Sequence, residues 1–352
     1  MKRFIDTGII FTGALLAFAC RAEIATAPSG IATSAQGAWH PASQTPSRAI
    51  ETYARSSSAG WTPIISGTLE GTPSLTVPTL GDCPMFPPDN PWNQNIAGAP
   101  IHPRSAAYID SIGADINLHA DFGSNPEYGM PFRVAPAGQA RVPVEFVEYG
   151  DESDPGPYPI PSDAPVEFGS DRHVLVLASG ECELYELYHA QRAADGWRAG
   201  SGAVFDLSSN ALRPDGWTSA DAAGLPILPG LVRYDEVQSG AIRHALRFTV
   251  QTTARAYIHP ATHFASSDEN PNLPPMGLRL RLRADYDIAR FTGSARVILE
   301  ALRRYGLIVA DNGSNWFISG AADPRWNDED LDQLKKVPGS AFEAVYTGEI
   351  HL

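Results

Sequence analysis

Charged and aromatic side chains inside an apolar strand are the first places to look for chemistry, because burying them without partners is costly. The run Cys182 to His189, read as a strand, places Glu183, Tyr185, Leu187 and His189 on one face. Cys182, Leu184, Glu186 and Tyr188 then share the other. Glu186 is a candidate for one of the two carboxylates that glycosidic hydrolysis needs. Its candidate partner is Asp221, set among small residues in Ser219-Ala220-Asp221-Ala222-Ala223-Gly224, where a substrate could approach. The plainer reading of each acid is a structural pairing with an arginine or a loop cap. A second run, Gly240 to Val250, puts Ile242, His244, Leu246, Phe248 and Val250 on one face and Arg243, Ala245, Arg247 and Thr249 on the other. His244 on an apolar face is either a hydrogen-bonded core histidine or a general acid or base tuned by partial burial.

Leu278 to Arg283 repeats the alternation, with Arg279, Arg281 and Arg283 opposite Leu278, Leu280 and Leu282. Beside Arg243 and Arg247 these arginines would form a basic stripe suited to uronate or sulfate groups. The competing reading is a solvated face paired with local acids. In a lyase, His244 or Tyr188 would take the proton alpha to a uronate carboxylate, and Arg247 would neutralise that carboxylate. Aromatic residues in loops, Trp197, Trp217, Trp316 and Trp326, could stack on sugar rings. Asp311 and Asn312, in Asp311-Asn312-Gly313-Ser314-Asn315-Trp316, could bind a sugar or calcium, and the acidic loop Asp151 to Asp154 could also hold calcium. A tight turn and a solvated loop are the simpler alternatives. Apart from calcium no cofactor is expected. His259 and His263 have the spacing of helical metal ligands, but Pro260 and the surrounding pattern indicate a strand end and loop, so no metal is expected. No nucleophile elbow, phosphate loop, dinucleotide fingerprint or H-E-x-x-H motif is present.

The elements that would carry these residues are mainly strands. Runs at Arg141 to Phe146, His173 to Leu177, Cys182 to His189, Ala203 to Leu207, Ala241 to Val250, Ala254 to Ile258 and Gly277 to Arg283 are β-rich, with turn signals such as Asp195-Gly196 and Asp215-Gly216 between them. Helices are expected over Ser105 to Ile112, Ser294 to Tyr305 and Asn327 to Lys336. The pattern predicts a mainly β chain: an antiparallel β-sandwich of the jelly-roll or concanavalin-like kind with a few peripheral helices.

The N-terminal residues predict export. Lys2 and Arg3 precede an apolar run, Ile9 to Phe18, too short to span a membrane but suited to a signal segment over 1–20. Cys20 after Ala19 resembles a lipobox, where the thiol would carry a lipid anchor; the alternative is an ordinary cleaved signal. Residues 21–81 are rich in Ala, Ser, Thr and Pro and read as a disordered tether. The β-rich domain is expected over 82–352. Cys83 and Cys182 remain as a pair, which in an oxidising compartment suggests one disulfide. With 40 acidic against 26 basic residues, a net charge of −14 excludes a general nucleic-acid binder.

The stretches Asp89-Asn90-Pro91-Trp92-Asn93, Ser219 to Pro226, Gly240-Ala241-Ile242-Arg243-His244-Ala245-Leu246, Pro274-Pro275-Met276-Gly277 and Ala310 to Ser314 resemble a group of secreted bacterial β-rich proteins without an assigned role. The resemblance implies one intact domain after Cys83 and transfers no catalytic residue. The functional expectation is a secreted or surface-anchored enzyme that cleaves a polysaccharide, as a glycoside hydrolase or as a lyase on an anionic glycan. The alternative is a non-catalytic envelope lipoprotein that binds a carbohydrate or a protein partner. The membrane would be met only through a lipid on Cys20.

Overall fold

Val174-Leu175-Val176-Leu177-Ala178 is apolar at every position, the pattern of a strand covered on both faces. The computed structural model, which describes residues 77–352, shows that covering. The expected signal segment 1–20, Cys20 and the expected tether as far as residue 76 lie outside the described residues. Fifteen strands are described. The first eight are β1 (Thr79–Leu80), β2 (Cys83–Pro84), β3 (His119–Asp121), β4 (Phe132–Ala135), β5 (Val144–Phe146), β6 (Val174–Ala178), β7 (Glu183–Tyr188) and β8 (Gln191–Arg192). The rest are β9 (Trp197–Ala199), β10 (Ser201–Asp206), β11 (Leu246–Val250), β12 (Arg279–Leu282), β13 (Leu307–Asn312), β14 (Phe317–Ser319) and β15 (Phe342–Val345). The helices are α1 (Ser105–Ile112), α2 (Tyr234–Gln238), α3 (Gly293–Arg304) and α4 (Asp328–Leu331).

A six-stranded sheet in the order β15-β12-β13-β11-β14-β3 and a four-stranded sheet in the order β10-β7-β6-β4 form the two main layers. Leu175, Leu177 and Leu184 of the smaller sheet share a core with Leu246, Phe248 and Leu280 of the larger one. The alternate residues, Val174, Val176, Tyr185 and Leu187, face a second core closed by Trp197 and Ala199 of a three-stranded sheet, β5-β9-β8. The described residues are therefore mostly β, layered like a sandwich with no closed barrel among them and with few helices, as the sequence predicts. The ladders are mixed: β4 with β6, β5 with β9, β11 with β13 and β3 with β14 are parallel.

Two expected strands differ. The Ala241 to Val250 strand begins only at Leu246, because the backbone N–H of Ala245 donates to the Trp92 carbonyl rather than to a neighbouring strand. Ala254 to Ile258 is no strand; it forms only single bridges, at Tyr257 to Met276 and His351. The third expected helix is divided into α4 and a 3-10 turn over Asp332–Lys336.

Cys83 and Cys182 form a disulfide between residues 99 apart in sequence, joining the β1–β2 hairpin to the turn before β7. Closing so long a loop removes much unfolded-state entropy. Reduction, or the Cys83→Ser/Cys182→Ser variant, is expected to lower stability by about 2–5 kcal/mol. Urea unfolding with and without reductant checks this; coincident curves would show that the bond constrains nothing.

Candidate functional site

Between the two main sheets lies a cavity of about 240 Å³ lined by Tyr149, Tyr188, Asp171, Asp221, Asp311, Asn312, His173 and His263. No arginine or lysine lines it. Three segments build its floor.

The first is the loop Thr218 to Leu225, whose polar residues close it on itself. The Ser219 hydroxyl donates to the Leu225 carbonyl at 2.6 Å, and the Asp221 N–H donates back to that hydroxyl at 2.9 Å. The Asp221 carboxylate accepts the Ala223 N–H through Oδ1 at 2.9 Å. Gly224 completes the turn with φ of +72°, and a Cβ there would sit 2.2 Å from the Thr262 hydroxyl. The loop is also pinned from outside. Glu152 accepts the Thr218 N–H at 2.8 Å, and Asp154 pairs with Arg213. Two acids of the Asp151 to Asp154 loop are thus occupied as structural anchors.

The second segment is β11, which carries Arg247 on the face opposite Phe248. Its guanidinium donates to Asp221 Oδ2 from Nη2 at 2.6 Å and from Nε at 3.2 Å, and to the Ser319 hydroxyl at 2.8 Å. The third is β13. Phe248 pairs with Val309 but Thr249 pairs with Asp311, so Ala310 is an extra residue at a bulge. The bulge turns Asp311 onto the same face as Thr249 and Arg247, and its Oδ2 lies 3.9 Å from Arg247 Nη2. Asp221 and Asp311 thus sit on one guanidinium nitrogen. Their Oδ2 atoms are at most about 6.5 Å apart, a limit that permits the retaining-glycosidase spacing of roughly 5–5.5 Å.

Electrostatics separates the two acids. Burial, then the neighbouring Asp221 charge, pushes the Asp311 carboxyl up to about 7, against the pull of Arg247. Burial also raises Asp221, but Arg247 bonds it directly. Arg247 opposes that rise more closely at Asp221 than at Asp311, and Asp311, at about 7, is partly protonated at neutral pH. Asp311 retains 28 % side-chain exposure, whereas Asp221 retains none.

Nearby, His173 lies between the Glu167 carboxylate at 2.5 Å and the Ala220 carbonyl at 3.0 Å. Both ring nitrogens face acceptors, so the imidazolium fits. Burial opposes the charge, but Glu167 prevails and the His173 pKa is raised. His263 contributes differently. Its Nδ1 donates to the Ala222 carbonyl at 2.8 Å, which fixes the ring on the cavity wall.

The sequence-derived candidates are distributed as follows. Tyr188, Asp221 and Asn312 line the cavity. Arg247 lies beneath it, its guanidinium directed at Asp221 and Ser319. Glu186 is fully buried, and its oxygens accept the N–H groups of Ile227 and Leu228 at 2.8–3.0 Å. Burial pushes it up to about 7, but it reaches no cavity wall. His244 is a core histidine, bonded to Glu236 at 3.0 Å and to the Ala245 carbonyl, and it lines no cavity wall. Arg243 lines a separate groove with Asp235 and Glu236.

Trp316, expected as an exposed stacking surface, is buried between Phe248 and Phe342 and donates to the Gly113 carbonyl. Trp217 is half-buried beside Arg213 and lines no part of the cavity. The arginine stripe is consumed internally. Arg279 bonds the carbonyls of Pro91, Gln94 and Tyr305, Arg281 pairs with Glu343, and Arg283 pairs with Asp285. Tyr149, Asp171 and His173 line the cavity without having been singled out from the sequence, and Asp311, expected as a sugar or calcium ligand, stands instead beside Arg247 as a second carboxylate. The available signal was an acid closing the apolar run Leu307-Ile308-Val309-Ala310.

Among the described residues, no group of three or more His, Cys, Asp or Glu side chains is arranged to hold a metal ion. His259 and His263 have separate partners, Asp215 and the Ala222 carbonyl. Compared with known proteins, the chain matches no family model, no curated protein and no solved structure.

The site makes stability depend on pH. Asp311 and Glu186 have native pKa values raised above their unfolded ones, so the folded state binds more protons and stability is lost as pH rises through about 7. His173 is raised too, and its contribution is present at low pH and lost as pH rises, in the same direction. The urea midpoint is expected to be lower at pH 8 than at pH 5, and Glu186→Gln should flatten the difference. A midpoint that rises over this interval would contradict these protonation states.

Proposed function

We propose that the chain is an exported glycoside hydrolase acting on a neutral polysaccharide, with Asp311 as the proton donor. The observation that carries this reading is the carboxylate pair. Asp311 is partly protonated near neutrality, and Asp221, bonded to Arg247, lies no more than about 6.5 Å from it, on the floor of a polar cavity. Asp311 would protonate the leaving oxygen. Asp221, fixed by Arg247 and the Ala223 N–H, would supply negative charge to an oxocarbenium-like transition state. Tyr188, Tyr149 and Asn312 would bind sugar hydroxyls at the walls.

Charge favours a neutral glycan over an anionic one. Three carboxylates and no free guanidinium face the cavity. The arginines that would have neutralised a uronate are occupied elsewhere. The buried positions of Trp197, Trp316 and Trp326 weigh against a purely binding role on a tryptophan platform. The disulfide suits an oxidising compartment. A signal removed up to Cys20, which would then carry a lipid as the new N-terminus at the surface, completes the reading; intact-mass measurement of the mature chain would show the lipid increment or its absence.

The test is a panel of neutral and anionic polysaccharides, read by new reducing ends and by absorbance of the unsaturated lyase product. Reducing ends from a neutral glycan are expected. An unsaturated product would favour the lyase reading, and silence on every glycan would end the enzymatic one.

A further inference from the structure

A row of near-parallel rings leads away from His263 on the cavity wall. His263 and Phe264 are 5.8 Å apart at 8°, Phe264 and Tyr257 are 6.5 Å apart at 25°, and Tyr257 and His351 are 5.1 Å apart at 12°. His259 packs against both Tyr257 and His351, at 5.9 and 4.3 Å. All of these rings except Tyr257 are partly exposed. Scattered exposed aromatics are ordinary; a contiguous row is not.

The row is held in place. Tyr257 and His351 exchange backbone hydrogen bonds at 3.0 and 2.8 Å, Asp215 fixes the His259 ring at 2.8 Å, and the Arg255 guanidinium lies 5.4 Å from the Phe264 ring. The same two segments also contribute Arg255, Ala256, Ile350 and Leu352 to a second cavity of about 340 Å³, whose walls include none of these rings. Ring faces carry negative charge density and suit the slightly positive C–H faces of sugars. Rings already fixed lose little entropy when a ligand lies on them.

We propose that this row is a binding track for a linear neutral glycan, which lays successive sugars over Phe264 and His351 before entering the cavity at His263. The inference rests on the glycan reading of that cavity and extends it to a polymeric substrate held well beyond the bond that is cut. The track makes affinity depend on chain length: a disaccharide fills the cavity alone, whereas a hexasaccharide also covers the rings.

The experiment uses the full chain carrying Asp311→Asn, so that no ligand is cut. Cello-, manno- and chito-oligosaccharides of two and six sugars are titrated by calorimetry. For at least one series the hexasaccharide is expected to bind ten times more tightly than the disaccharide or better. Phe264→Leu, which conserves volume, and His351→Ala should each remove about three- to tenfold of hexasaccharide affinity while leaving the disaccharide unchanged. Thermal melting confirms that each variant is folded. Equal affinity for short and long chains, unchanged hexasaccharide binding in both variants, or no binding of any series would overturn the track. Hydrolysis by the unmodified chain without chain-length dependence would sink the track alone. Length-dependent binding without hydrolysis would retain the track and sink the catalytic reading.

Discussion

Asp311→Asn is expected to reduce kcat on the responsive polysaccharide by roughly a hundred- to ten-thousandfold, the usual worth of a general acid. The amide has the shape of the carboxyl but no proton to give. Substrate affinity should persist, because Tyr188, Tyr149 and Asn312 remain on the walls. The pH profile is the sharper test. Burial and the Asp221 charge hold Asp311 up to about 7, so the acid form is lost as pH rises through that value. The unmodified enzyme should lose activity on the alkaline side of neutrality, and the variant's residual rate should lack that limb. A titration seen by carboxyl-carbon NMR gives the same information without a substrate: one aspartate titrating near 7, absent from the variant. Activity within a few-fold of the parent, or an Asp311 that titrates in the usual carboxylate range, would remove it as the donor.

Much of the fold is legible in the sequence because alternation is a local property. Val174 to Ala178 and Glu183 to Tyr188 show their strands directly, and Gly113 and Gly306 mark the ends of the first and third helices. The disulfide follows from the cysteine count. Parallel pairing is not local, and nothing in Leu307 to Asn312 states that it lies parallel to β11. The site is half legible for the same reason. Asp221 and Arg247 stand out as polar residues in apolar or small-residue surroundings, yet their bond at 2.6 Å joins positions 26 apart. Strict alternation would place Asp311 with Val309 on the Phe248 face; only the bulge at Ala310, a product of the ladder, turns it to Arg247. Glu186 misleads in the opposite sense. An acid within a strand of Tyr and Leu looks functional, but the N–H groups of Ile227 and Leu228, far off in sequence, satisfy it as a structural group.

Arg247→Met is expected to destabilise the fold by about 3–5 kcal/mol, the range for breaking a buried ion pair by removing one partner. The methionine replaces most of the apolar stem. What is lost is the countercharge to Asp221, fully buried and keeping only the Ala223 N–H through Oδ1. With Arg247 gone, the burial that already raises Asp221 is opposed only by the Ala223 N–H and the His173 charge, and the folded state holds a proton that the unfolded aspartate, titrating near 3.9, releases. The penalty must therefore grow as pH rises: small near pH 4, largest at pH 8. Removing both charges tests the cause. Asp221→Asn/Arg247→Met leaves no uncompensated charge and should recover a good part of the loss, so the two single changes will not add. Asp311 supplies a further check, because Arg247 is also the group that holds its carboxyl down. In Arg247→Met the Asp311 titration should move above 7 if Asp221 stays charged, and less if Asp221 takes the proton itself. If Arg247→Met costs under about 1 kcal/mol, or its cost does not change with pH, the guanidinium does not hold this pair, and the division of roles between Asp221 and Asp311 fails with it.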